Sequence, residues 1–119
     1  MNVDLLYGRK TLTVRLPDDL RVTVIGKHPM DPVREPVRAV KEALENPVGS
    51  PPLSELARGR KSACILICDI TRPVPNGTLL PPLIETITGA GIPRENILIL
   101  VATGLHRPNE GEELREIIG

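Results

Sequence analysis

The chain has 119 residues, enough for a single hydrophobic core with little to spare. Lys plus Arg and Asp plus Glu each total 15, and a net charge of zero lacks the basic excess needed to grip nucleic acid or an anionic membrane non-specifically. Hydrophobic residues make up 40%, as in a globular chain, yet Tyr7 is the sole aromatic, so a base-stacking platform is excluded and the core must be aliphatic.

No apolar run approaches the length of a membrane span, and Asp4 interrupts the N-terminal stretch where a signal peptide would be apolar. The expected compartment is therefore the cytoplasm. The chain reads as one domain over residues 1–119, of α/β class. An antiparallel β meander comes first and a βαβα unit follows, its strands parallel and its helices packed on the sheet.

The meander is expected from Val3–Tyr7, then Thr11–Leu16 (TLTVRL), then Arg21–Ile25 (RVTVI), with turns at Gly8 and Asp18-Asp19. A Pro-containing loop runs from Gly26 to Glu35. Pro36 suits the first turn of a helix reaching Glu45, with Val37, Val40 and Leu44 on one stripe and Asn46-Pro47 as its stop. Ser50 is placed to cap a short second helix that carries Leu53 and Leu56 and ends at Gly59.

The second half is more apolar. Ala63–Cys68 (ACILIC) and Ile97–Ala102 (ILILVA) are continuous apolar runs, the pattern of parallel strands buried on both faces. Between them a helix is expected from about Leu80 to Ala90, with Pro81 and Pro82 in its first turn and Gly91 as its cap. A last helix ends near Ile118, with Asn109 and Glu112 as a capping box. Cys64 and Cys68 would sit about 13 Å apart along one strand, beyond disulfide reach, and read as core or near-core residues.

In open parallel sheets, ligands bind on the loops that leave the carboxyl ends of the strands. Here those loops read Asp69-Ile70-Thr71-Arg72-Pro73-Val74-Pro75 and Thr103-Gly104-Leu105-His106-Arg107-Pro108. Neighbouring strands would bring an acid, a hydroxyl, two guanidinium groups and an imidazole to one crevice. Arg72 can hold a carboxylate or phosphate through two parallel hydrogen bonds. Histidine ordinarily titrates near neutral pH, which makes His106 the candidate general acid or base. Asp69 can accept from a ribose hydroxyl or orient its neighbours, and Thr71 can hold a phosphate. Plainer readings stand beside these: an Asp69 that simply pairs with Arg72, and a His106 on a solvated turn. His28, in a Pro-rich loop, has no comparable setting.

At these loops the chain resembles the N-terminal domain of the lactate racemase family, enzymes that use a nickel-pincer mononucleotide. CDITRPVP and ATGLHRP, each after an apolar strand, carry the resemblance together with ALENPVGSPPLSELARG upstream and the terminal EELREIIG. The resemblance covers essentially the whole chain but only the first part of the family's length. It implies that Asp69, Ile70, Thr71 and Arg72 form the cofactor-binding loop and that Arg72 also anchors the substrate carboxylate. It also implies that His106 is one of two catalytic histidines exchanging the proton of the C2 hydroxyl while the cofactor takes and returns the C2 hydride.

The family's second catalytic histidine, its nickel-ligand histidine and the lysine that tethers the cofactor lie beyond the matched stretch, so no metal ligand is expected in this chain. The expected partners are a small 2-hydroxy acid and the remaining C-terminal domain of a longer protein. The isolated chain is expected to be inactive and to self-associate through its exposed domain interface. The alternatives are a non-catalytic module that uses the same crevice for an anionic metabolite or a partner domain, and a phosphoryl-transfer domain with Asp69 as nucleophile.

Overall fold

A computed structural model describes residues Met1–Gly119. The chain divides into two compact units, Met1–Asp31 and Pro32–Gly119. No helix is long and apolar enough to cross a membrane.

The first unit is a β-hairpin. Strands β1 (Asn2–Tyr7) and β2 (Lys10–Arg15) pair antiparallel, from Asn2 opposite Arg15 to Tyr7 opposite Lys10. Gly8 opens the two-residue turn with φ +59°, a conformation that suits glycine at the first position of a hairpin loop. The Thr13 hydroxyl donates to Asp4 Oδ1 at 2.6 Å across the hairpin. The expected third strand does not form, and Arg21–Ile25 has no regular secondary structure. Alternation makes a strand only where a surface takes up its apolar side, and Val24 and Ile25 are 61% and 94% exposed.

The second unit holds helices α1 (Pro36–Glu45) and α2 (Leu53–Ala57), strand β3 (Ala63–Cys68), helix α3 (Asn76–Gly89), a 3-10 turn (Arg94–Asn96), strand β4 (Ile97–Ala102) and helix α4 (Glu112–Ile118). Strands β3 and β4 are parallel neighbours, so the α/β reading holds. Helix α3 is the hub: Ile87 packs with Ala57 and Ile92, while Leu80 packs with Ile67 of β3 and Ile117 of α4. Ile65, Ile97, Ile99 and Val101 of the sheet join these clusters from one face. Lys41 of α1 pairs with Glu85 of α3 at 2.8 Å.

The strands are not buried on both faces as expected. Burial alternates along each, leaving Cys64, Leu66 and Cys68 exposed beside their register partners Leu98, Leu100 and Ala102. Both cysteines are therefore exposed rather than core residues. The helices cover one side of the sheet, and an apolar run cannot bury its other face without a second layer.

Helix starts depart from expectation in three places. Helix α3 begins at Asn76, a turn early, which puts Pro81 and Pro82 inside it and leaves two carbonyls without their intrahelical donors. The early start is anchored by tertiary structure, because the buried Asn76 side chain donates to the Ile117 carbonyl at 3.0 Å. At its far end Gly91, with φ +104°, lets Ile92 N–H reach back to the Ile87 carbonyl. The Ser50 hydroxyl donates to the Pro51 carbonyl and does not cap α2, which starts behind Pro52. Gly111 precedes α4, and no side chain caps it.

Candidate active site at the paired strand ends

The register of the parallel pair sets the site. Cys68 is opposite Ala102, so the loops beginning at Asp69 and Thr103 leave the sheet side by side. Each then folds back in a tight turn. In the first, Arg72 N–H donates to the Asp69 carbonyl at 3.1 Å, and Asp69 Oδ1 accepts from Thr71 N–H at 3.1 Å and the Thr71 hydroxyl at 2.6 Å. An aspartate that bonds the backbone two residues on is a self-contained turn former, which explains the Asp-x-Thr spacing. In the second, His106 N–H donates to the Thr103 carbonyl at 3.0 Å. Gly104 sits at the bend with φ +59°.

Two contacts lock the turns together. A short hydrogen bond joins Asp69 Oδ2 to His106 Nδ1. Ile70 N–H reaches Asn109 Oδ1 at 3.4 Å, so Asn109 joins loop to loop instead of capping α4. The Asn109 amide also donates to Glu113 at 3.0 Å, and Glu113 in turn accepts two hydrogen bonds from Arg107, at 2.7 and 2.6 Å.

These contacts sort the candidate residues. Asp69 is 5% exposed, and both of its oxygens accept from the chain's own donors. The Thr71 hydroxyl and N–H are both directed at Asp69, and Ile70 packs against the aliphatic core. The guanidinium of Arg107 is occupied by Glu113, so only one of the two expected arginines serves the crevice. That one is Arg72, whose guanidinium has no partner in the structure. It lines a cleft of about 390 Å³ with Cys68, Asp69, Ala102, Thr103, Gly104, Leu105 and His106. A larger hollow of about 620 Å³ beside Leu80, Ile84 and Ile118 is mainly apolar and holds no histidine.

The charges follow the contacts. Hydrogen bonds from Thr71 first, then from His106, hold the Asp69 carboxyl below the usual carboxylate range. It is ionised, so Oδ2 only accepts, and His106 Nδ1 must carry the proton. His106 Nε2 has no partner, and the side chain is 54% exposed. The expected pairing of Asp69 with Arg72 does not occur. Nor is Asp69 presented as a nucleophile, because its carboxylate is enclosed and committed.

Asn109 and Glu113 are supports of the two loops that sequence reasoning missed. Asn109 carries a helix-cap signature, and nothing local reveals that it bonds a residue 39 positions away. His28 lies in the exposed loop of the first unit.

Comparison with known proteins shows the family and the fold. The sequence profile of the lactate racemase N-terminal domain matches residues 7–119. Lactate racemase of Thermoanaerobacterium thermosaccharolyticum is 35% identical over 122 residues, spanning 99% of this chain and 28% of that protein. Lactate racemase of Lactiplantibacillus plantarum is 38% identical over 117 residues, spanning 94% of this chain and 27% of that protein. The structure of the T. thermosaccharolyticum lactate racemase apoprotein superposes with a TM-score of 0.73 at 36% identity, over 100% of this chain and 27% of that one. The chain thus spans little more than a quarter of the length of these relatives, and by sequence and by fold it belongs to the lactate racemase N-terminal domain family.

Proposed function

We propose that this chain supplies one side of the active site of a 2-hydroxyacid racemase or epimerase, acting within a longer protein. The observation that carries the reading is the convergence of a partnerless Arg72 and a half-exposed His106 on one cleft. A small 2-hydroxy acid needs two contacts there: a cation for its carboxylate and a base for its hydroxyl.

Arg72 provides the first, because its planar guanidinium matches a carboxylate through two parallel hydrogen bonds. His106 provides the second, with Nε2 taking the proton of the C2 hydroxyl and later returning it. Loss of that proton and of the C2 hydride leaves a planar 2-oxo acid. Return of hydride to its other face inverts the centre.

The cofactor implied by the family fits this chain in part. An unpaired guanidinium beside a strand-end loop suits the phosphate of a nucleotide, so the loop Asp69–Arg72 would hold the nickel-pincer mononucleotide through Arg72. Asp69 and Thr71 would shape that loop. No cluster of three or more His, Cys, Asp or Glu suited to a metal ion forms in this chain. When bound, the nucleotide supplies reversible hydride acceptance from C2. On this reading the isolated chain does not racemise.

The test is racemisation of lactate by the full-length protein that carries this segment, loaded with the nucleotide. General acid–base groups contribute about 10²- to 10⁴-fold, so His106→Ala lowers kcat within that range. Arg72→Ala removes charged hydrogen bonds, each about 1.5–3 kcal/mol, and raises KM by at least about tenfold. Undiminished activity in His106→Ala would assign the crevice to a binding module instead. An unchanged KM in Arg72→Ala would remove its anchoring role.

A further inference from the structure

Leu105 is the one bulky aliphatic side chain on the cleft between the two loops. The charged and titratable groups there are Asp69, Arg72 and His106, and the other lining residues are small. Backbone geometry fixes where Leu105 stands. His106 N–H closes a turn on the Thr103 carbonyl at 3.0 Å, Gly104 takes φ +59°, and the φ of Leu105 is negative, the pattern of a type II′ turn. So tight a turn presents Leu105 and His106 as a pair. Leu105 is fully exposed, at 105%, so no part of the chain's own core uses it.

We infer that Leu105 is a specificity-determining residue, whose side chain receives the aliphatic substituent on C2 of the 2-hydroxy acid. The inference rests on the roles proposed for Arg72 and His106, and it follows from the valence of C2. Of the four substituents on that carbon, the carboxylate goes to Arg72, the hydroxyl goes to His106, and the hydrogen leaves as hydride. The fourth is the side chain of the acid, and Leu105 is the only large apolar group that this chain offers it. Contact between the two takes apolar surface on both partners out of water. A substituent ending in a second carboxylate would meet leucine instead of a cation. Arg107 cannot serve it, because Glu113 holds that guanidinium, and Arg72 is already engaged.

The test is a specificity profile of the full-length protein that carries this segment, loaded with the nucleotide. Racemisation is measured on lactate, 2-hydroxy-4-methylpentanoate and 2-hydroxysuccinate, which differ only in the C2 substituent. One methylene in an apolar contact changes kcat/KM by about 10- to 200-fold. Leu105→Ala takes a contact from the methyl group of lactate and clears space for a longer alkyl group. The ratio of kcat/KM for 2-hydroxy-4-methylpentanoate to that for lactate is therefore expected to rise at least about tenfold. Leu105→Arg supplies the cation that a second carboxylate lacks, and the ratio for 2-hydroxysuccinate to lactate is expected to rise at least about tenfold.

Ratios separate specificity from a merely structural role. A Leu105 that served only stability, or only a contact with the rest of the longer protein, would lower all three acids by one common factor when replaced. Either ratio standing still would overturn the inference, because position 105 would then lie out of reach of the substituent. Full exposure of Leu105 keeps folding out of the result, and both variants are expected to match the parent in circular dichroism and thermal midpoint. Undiminished activity in His106→Ala would defeat the chemistry proposed for the cleft. Unmoved ratios beside a disabled His106→Ala would defeat the role of Leu105 alone, so the two failures are distinguishable.

Discussion

Two arginines on neighbouring loops illustrate how partner choice decides a side chain's use. Arg107 forms a two-pronged pair with Glu113, while Arg72 is left with its full donor set. The Arg107 hydrogen bonds, with help from Asn109, pull the Glu113 carboxyl from an ordinary 4.5 down to about 2. A carboxylate depressed on folding stabilises the protein above its unfolded value, and that contribution disappears as pH falls from 4.5 toward about 2. Asp69 is shifted in the same direction, so acid should loosen both supports of the second loop. Glu113→Gln is therefore expected to unfold at lower temperature than the parent near neutral pH, with the gap closing as pH falls through that window. Thermal unfolding followed by circular dichroism across the window checks this, and a gap that stays constant would refute it. Neither arginine is distinguishable from the other by sequence, because the residue that occupies Arg107 is six positions away, in the first turn of α4.

The turns and helices show which local signals are self-sufficient. The bounds of β3, β4 and α1 are those read from their residues, since continuous aliphatic runs and a Pro-opened amphipathic stripe need no distant partner to be recognised. Helix α3 escaped that reading: paired prolines argue for a first turn, but the amide of Asn76 binds a carbonyl 41 residues away and draws the start back. Asn109 escaped for the same reason. The glycine at the bend of the second loop is more predictable, with φ +59° and open space where a Cβ would stand. Gly104→Ala meets no clash, so its penalty is conformational, about 1–2 kcal/mol for a left-handed alanine. Denaturant unfolding should show that loss. The relaxed turn should also carry His106 away from Asp69, moving its nitrogen-15 tautomer signature toward that of His28.

At the scale of the molecule, the second unit has an apolar sheet face with nothing over it. Leu66, Leu98 and Leu100 are 66%, 59% and 48% exposed, side by side across the parallel pair. Parallel sheets are ordinarily covered on both faces, and the relatives this chain matches are more than three times its length. A patch of this kind drives association when left bare. The isolated chain should self-associate with rising concentration in sedimentation experiments. Leu66→Lys with Leu100→Lys should return it to a monomer without loss of helix content. Persistence of the oligomer in the double variant would place the contact elsewhere.

The amino-acid sequence alone determined the class of this protein, the order of strands and helices in its second unit, and the two loops that carry Asp69, Arg72 and His106. These follow from periodicity, turn residues and strand-end chemistry, all of which act over a few neighbouring positions. Tertiary structure alone decided which groups remain available. It placed Cys68 opposite Ala102, committed Asp69 to His106 and Thr71, gave Arg107 to Glu113, and left Arg72 unpaired over the cleft. The physical reason is that a charged or polar group's role depends on whether another group satisfies it. Partners here come from residues up to 41 positions away, a separation that no local pattern encodes.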